Sequence, residues 1–122
     1  DADRVISTRG LFRVSLRLPE TRYQAWPDRQ QLYERIEESL AGAPPIKFAS
    51  FATSSPFIGA PGDWRIATEA QRDVGARDLP SVMLLGVGIR YFDTIGLGLV
   101  RGRPFESRDG TRGHDNAMIN QL

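Results

Sequence analysis

Glycines near the end of the sequence have a spacing that could bind phosphate. Gly96, Gly98 and Gly102 form a G-x-G-x-x-x-G pattern. A Walker loop would need Lys and a hydroxyl side chain after its last glycine, but the sequence continues Arg103-Pro104. A dinucleotide loop lies between a strand and the start of a helix, whereas Gly96 follows a predicted helix and precedes a predicted strand. The pattern therefore favours a helix end and a tight turn over a nucleotide site.

Two arginines, Arg101 and Arg103, flank the last of these glycines. A guanidinium group binds carboxylates and phosphates through two parallel hydrogen bonds. The pair can therefore bind an anion or a carboxylate on a partner. It can equally hold a turn together through nearby carbonyls and acidic side chains.

Other polar residues carry weaker signals for catalysis or metal binding. His114 has no second His and no Cys to share a metal with, and its neighbour Asp115 is adjacent in sequence, where side chains rarely point at one another. Glu37 and Glu38 fall on the polar side of a predicted helix. The acidic residues of 106–115 miss the spacing of a calcium-binding EF-hand loop. We predict no catalytic residue, no cofactor and no metal ligand, and hence a protein that is not an enzyme.

The composition is that of an ordinary globular domain. The 122 residues have a formal net charge of +1, are 40% hydrophobic and include no Cys. Disulfides and thiolate chemistry are thereby excluded, and no strong basic field indicates nucleic acid. The longest apolar stretch, Leu79 to Ile89, is too short for a membrane helix of about 20 residues. The mixed charge of the first residues is unlike a signal peptide, and we expect the chain to be a fragment of a longer protein.

One helix is predicted from Pro27 to Ala41. Leu32, Ile36 and Leu40 recur every four residues and form one apolar stripe. Pro27 suits the first helical position, and Gly42 suits the position after the end. A second, short helix is predicted over 88–95, with Gly96 as its terminating glycine.

Strands are predicted where apolar residues alternate or form short runs. Phe12, Val14, Leu16 and Leu18 alternate with polar residues, which predicts a half-buried strand. Val82 to Val87 is continuous and predicts a strand buried on both faces. The predicted strands are Leu11–Leu18, Ile46–Ala52, Trp64–Glu69, Val82–Val87, Leu97–Arg101 and Ala117–Asn120. Polar, Gly- and Pro-rich segments between them predict loops at 53–62, 71–80 and 105–116.

The order of these elements indicates an α+β fold with helices on one face of a sheet. Several segments then carry a family resemblance: LFRVSLRLPETRY (11–23), QLYERIEESLAGAP (31–44), ASFATSSPF (49–57), YFDTIGLGLVRGRPF (91–105) and AMINQ (117–121). In this order they resemble the MacB-like periplasmic core domain of FtsX-type ABC transporter permeases. The stretch 58–80 matches poorly.

The resemblance implies a fold and a location. The fold would be a βαβ-type subdomain, similar to transporter porter domains, with a small β-rich insert. Residues 1–122 would form one such domain, truncated before further strands of the family, with 58–80 as a variable insert or loop. The domain would lie on the periplasmic side of the bacterial inner membrane, anchored by transmembrane helices outside this sequence.

The resemblance also implies a function without catalysis. The domain would contact other proteins and transmit conformational change driven by a cytoplasmic ATPase. Its partners would be the rest of the permease, the ATPase, and a periplasmic adaptor or a second copy. Loops at domain tips usually carry contacts, and we predict partner contacts at Phe57, Ile58, Arg101 and Arg103. The alternative is a sensor domain that binds a small molecule or anion, with Arg101 and Arg103 as an anion clamp.

Overall fold

The computed structural model describes residues 7–53 and 64–120. Their regular elements are helix α1 (Trp26–Ala41), strand β1 (Trp64–Arg65), strand β2 (Ser81–Val82) and helix α2 (Tyr91–Ile95), with short 3-10 helices at Glu69–Gln71 and Ala76–Asp78. The combination of helices with a small antiparallel sheet is that of an α+β protein in the general sense. Within the described residues, no helix combines the length and apolar character needed to cross a bilayer.

The chain divides into two compact units. The first unit comprises residues 1–51 and 88–122, and the second comprises residues 52–87. The first unit contains both α-helices. The second contains the two-stranded sheet, in which Trp64 lies opposite Val82 and Arg65 lies opposite Ser81.

Helix α1 confirms the prediction to within one residue. It begins at Trp26 with Pro27 in its first turn, and it ends before Gly42, whose N–H donates to the Glu38 carbonyl at 3.3 Å. Gly42 has φ −86°, so the end of this helix does not use the left-handed conformation that glycine permits.

Helix α2 supplies the buried core of the first unit. Tyr91 and Ile95 are each 7% exposed, and they are the buried apolar side chains among the described residues. The helix starts three residues later than predicted, and it ends as predicted at Gly96, which has φ +75°. The N–H of Leu97 then donates back to the Phe92 carbonyl at 3.0 Å, which satisfies a carbonyl at the helix end.

Most of the predicted strands are wrong for the described residues. Residues 11–18, 97–101 and 117–120 form no strand there, and 46–52 contributes a single antiparallel bridge, between Ala52 and Val87. The predicted strand at 64–69 is reduced to β1. The one predicted over 82–87 is reduced to β2, and it is not buried on both faces because Met83 is 77% exposed. An alternating pattern yields a strand only where a neighbouring segment supplies backbone partners, and local sequence does not specify that neighbour.

The predicted loop at 71–80 is more regular than expected. It includes the second 3-10 helix, and the Arg65 side chain donates to the carbonyls of Arg77 at 3.0 Å and Leu79 at 2.9 Å. These bonds tie the segment to β1 inside the second unit.

Candidate functional site

The predicted partner residues have different surroundings. Phe57 and Ile58 lie outside the described residues. Arg101 is exposed and has no hydrogen bond or ion pair within the described part of the chain. Arg103, two residues away, is held in a cluster of polar groups.

Asp109 is the centre of this cluster. Its carboxylate accepts two hydrogen bonds from the Arg103 guanidinium, at 2.7 and 2.8 Å. It also accepts the backbone N–H of Glu106 at 2.7 Å and the side-chain amide of Asn116 at 2.6 Å. The Asp109 side chain is only 5% exposed although the loop lies at the surface. We call these four residues the Asp109 cluster.

The electrostatics follow from this geometry. Hydrogen bonds from Arg103 and from the Glu106 backbone hold the pKa of Asp109 well below its ordinary value. The same bond to Asp109 raises the pKa of Arg103. The Glu106 carboxylate lies 3.8 Å from the Arg103 guanidinium and 3.0 Å from the Arg108 guanidinium. Such exposed ion pairs contribute little to stability.

The cluster organises a series of tight turns. The Asp109 N–H donates to the Glu106 carbonyl at 2.9 Å, and the Gly110 N–H donates to the His114 carbonyl at 2.9 Å. Asn116 bonds both Asp109 and the His114 carbonyl. The alternative in which the Arg pair holds a turn thus describes Arg103 well, whereas the Arg101 guanidinium has no partner among residues 7–53 and 64–120.

A second polar contact was missed by the sequence analysis. The Glu37 carboxylate accepts the Ser50 hydroxyl at 2.7 Å and the Phe51 N–H at 3.1 Å. Four residues earlier on the same helix face, Tyr33 stacks on the Phe51 ring with centroids 4.6 Å apart. Glu37 therefore joins α1 to the 50–51 segment. The four-residue spacing of Tyr33 and Glu37 indicates that both lie on one face of the helix. Nothing in the neighbouring sequence identifies residues 50–51 as the segment that they contact.

The remaining polar candidates do not form a reaction centre. His114 and Asp115 are both exposed, and no hydrogen bond joins their side chains in the part of the chain that the structure describes. Within residues 7–53 and 64–120, no group of three His, Cys, Asp or Glu side chains is arranged to hold a metal ion. Tyr91 has a buried hydroxyl without a partner there, and burial raises the pKa of that hydroxyl.

The Asp109 cluster gives a prediction for Asp109→Asn. This change keeps the size of the side chain but removes its negative charge. It also replaces one of the two carboxylate oxygens that accept hydrogen bonds from Arg103 and from the Glu106 N–H. We expect the Glu106 amide to exchange with solvent about tenfold faster, measured by hydrogen exchange. Asp115→Asn is the matched control, because its carboxylate has no hydrogen bond among the described residues. Equal protection in both variants would contradict the role of Asp109.

The protection of the same amide should depend on pH. The pKa of Asp109 is lower in the folded than in the unfolded chain, so its charge stabilises the fold fully above the unfolded value of about 3.9. That contribution is lost as the pH falls below the unfolded value and through the folded one. The protection factor of the Glu106 amide should therefore be level from about pH 7 to 5 and should fall in acid.

No family model, curated protein or solved structure matches the chain. The family resemblance of the quoted segments stays a prediction from the sequence.

Proposed function

We propose that this chain is an extracytoplasmic domain of an ABC transporter permease with the MacB-like periplasmic core. In this proposal the domain makes protein–protein contacts and transmits conformational change driven by a cytoplasmic ATPase. It lies on the periplasmic side of the bacterial inner membrane, held by membrane helices outside the 122 residues. Its partners are the remainder of the permease and a periplasmic adaptor or a second copy.

The observation that carries the proposal is the exposure of large apolar side chains in the first unit. Phe12, Val14, Val100 and Ile119 are 90%, 80%, 84% and 88% exposed. Single exposed apolar residues are common, but four that are at least 80% exposed in one unit leave apolar surface that a partner protein could cover. The quoted series of segments supports the same function, and the small β-containing second unit is compatible with the proposed insert.

The sensor alternative has less support. An anion clamp needs the guanidinium of Arg103, which already makes both of its parallel hydrogen bonds to Asp109. A ligand would have to displace a carboxylate that also holds the Glu106 backbone. Arg101 alone is exposed and can bind one acidic group, which on a partner protein would be a carboxylate.

Location in the intact cell tests the proposal first. Cells that express the parent protein are treated with protease after the outer envelope is opened and while the inner membrane stays sealed. We expect digestion within the domain under these conditions. Protection until the cells are lysed would place the domain in the cytoplasm and would overturn the proposal.

Crosslinking in the same cells tests for partners. A photoreactive residue at Val100 or Ile119 should yield adducts of defined mass, because both positions present apolar surface. Arg112 is the control, since it is also exposed but has a polar side chain. Adducts that are equally frequent at all three positions would indicate random collision and would count against a contact surface.

A further inference from the structure

The backbone groups of a seven-residue segment of the first unit have no partner among the described residues. No backbone hydrogen bond joins residues 12–18 to any part of the chain that the structure describes. Turns close both ends of the segment: the Leu11 N–H donates to the Thr8 carbonyl at 3.1 Å, and the Tyr23 N–H donates to the Pro19 carbonyl at 3.1 Å. A run of free N–H and C=O groups of this length is a template for pairing with another strand.

The side chains of the segment divide by chemistry. The alternation predicts that Phe12, Val14 and Leu16 share one face of a half-buried strand. In the structure they are instead 90%, 80% and 53% exposed. Arg13 and Arg17 occupy the alternate positions, and neither forms an ion pair within the described residues. Paired as a strand, the segment would present an apolar face and a face with two positive charges.

We propose that residues 12–18 bind an extended segment of a partner protein in which apolar residues alternate with Asp or Glu. The partner strand adds alongside through backbone hydrogen bonds, its apolar residues cover Phe12 and Val14, and its acidic residues face Arg13 and Arg17. This inference rests on the proposed contact function and names the chemistry of one partner.

The positions of the arginines distinguish this occupant from a second copy of the chain. Antiparallel self-pairing centred on Ser15 would place Arg13 opposite Arg17. Parallel pairing in register would place each arginine opposite itself. Like charges directly opposite each other destabilise a strand pair, whereas carboxylates at these positions stabilise it.

Peptide binding tests the proposal on the 122-residue chain. The probes are two synthetic peptides of about eight residues, one with Ile and Val alternating with Glu, the other with Lys in place of Glu. Binding is followed by fluorescence anisotropy of labelled peptide and by hydrogen exchange of the protein. We expect the Glu peptide to bind about tenfold more tightly and to slow exchange at residues 12–18.

Variants assign the binding to the segment. Reversing both charges, with Arg13→Glu and Arg17→Glu, should invert the preference so that the Lys peptide binds better. The control reverses two exposed arginines elsewhere in the first unit, Arg35→Glu and Arg112→Glu, which alters the net charge equally and should leave the preference unchanged. Ser15→Pro removes one backbone N–H at an exposed position and should weaken binding of either peptide.

Each other outcome overturns the proposal. Equal affinity for both peptides would show that Arg13 and Arg17 do not select acidic partners. No binding of either peptide would show that residues 12–18 do not pair with an added strand. A concentration-dependent dimer in sedimentation that Ser15→Pro dissociates identifies a second copy as the occupant. These failures are distinct from failure of the proposed function, because protease access and crosslinking at Val100 or Ile119 do not depend on residues 12–18.

Discussion

Replacing Gly88 with alanine is expected to destabilise the first unit by about 3 kcal/mol. A Cβ atom at this position would collide with the Glu37 carboxylate and the Ser50 hydroxyl, and it would lie 3.0 Å from the Phe51 ring. Glu37 and Ser50 could move away only by losing the hydrogen bonds that join α1 to the 50–51 segment. Gly88 is also fixed in place, because its N–H donates to the Phe51 carbonyl at 2.9 Å.

Urea unfolding followed by far-UV circular dichroism measures this effect, since both α-helices belong to the first unit. Gly42→Ala is the matched control. Its backbone has φ −86°, and the nearest atoms to a new Cβ are carbonyl oxygens 3.9 Å away. The control should be neutral or more stable by up to about 1 kcal/mol. A loss of stability at Gly88 no larger than at Gly42 would mean that the Glu37 contacts contribute nothing.

The parts of the fold that the sequence predicts correctly are those decided by short-range effects. Helix α1 follows from an apolar stripe repeated every four residues and from Pro27 in its first turn. The end of α2 follows from Gly96, whose φ of +75° disfavours residues that have a Cβ. Both features are determined within a few residues of chain.

The strands could not be predicted in the same way. Residues 11–18 have a regular alternating pattern, yet they have no partner strand among the described residues. Alternation indicates which face of a strand would be buried, but it does not indicate which strand pairs with it. That partner strand can lie far along the chain or on another protein. The specific βαβ arrangement therefore stays a prediction.

The candidate site was predictable in type but not in detail. Arginines next to an acidic loop predict ion pairs, but only the fold selects Asp109 from the acidic residues of that loop as the partner of Arg103. The spacing of Tyr33 and Glu37 places both on one helix face, but it does not identify their partners Ser50 and Phe51, which are 13 and 14 residues from Glu37. Such contacts depend on how segments pack, which periodicity does not describe.

Replacing Ile95 with alanine is expected to cost about 3 kcal/mol, and Ile95→Val about 1 kcal/mol. Ile95 is 7% exposed and lies in the last turn of α2, four residues from Tyr91, the other buried apolar side chain of the described residues. Alanine would leave a cavity among these groups, and a core this small has few other buried side chains that can move in to fill it.

The same urea titration compares Ile95→Ala with Ile119→Ala. Both substitutions remove the same atoms from the same unit, but Ile119 is 88% exposed and its loss should alter the free energy of unfolding by less than about 0.5 kcal/mol. A difference between the two variants therefore measures mainly burial, reduced by the small gain in helix propensity that alanine brings at position 95. Equal costs would show that α2 is not the core of the first unit, whereas a cost at Ile119 alone would indicate that this exposed side chain is covered in solution, as expected of a contact between copies.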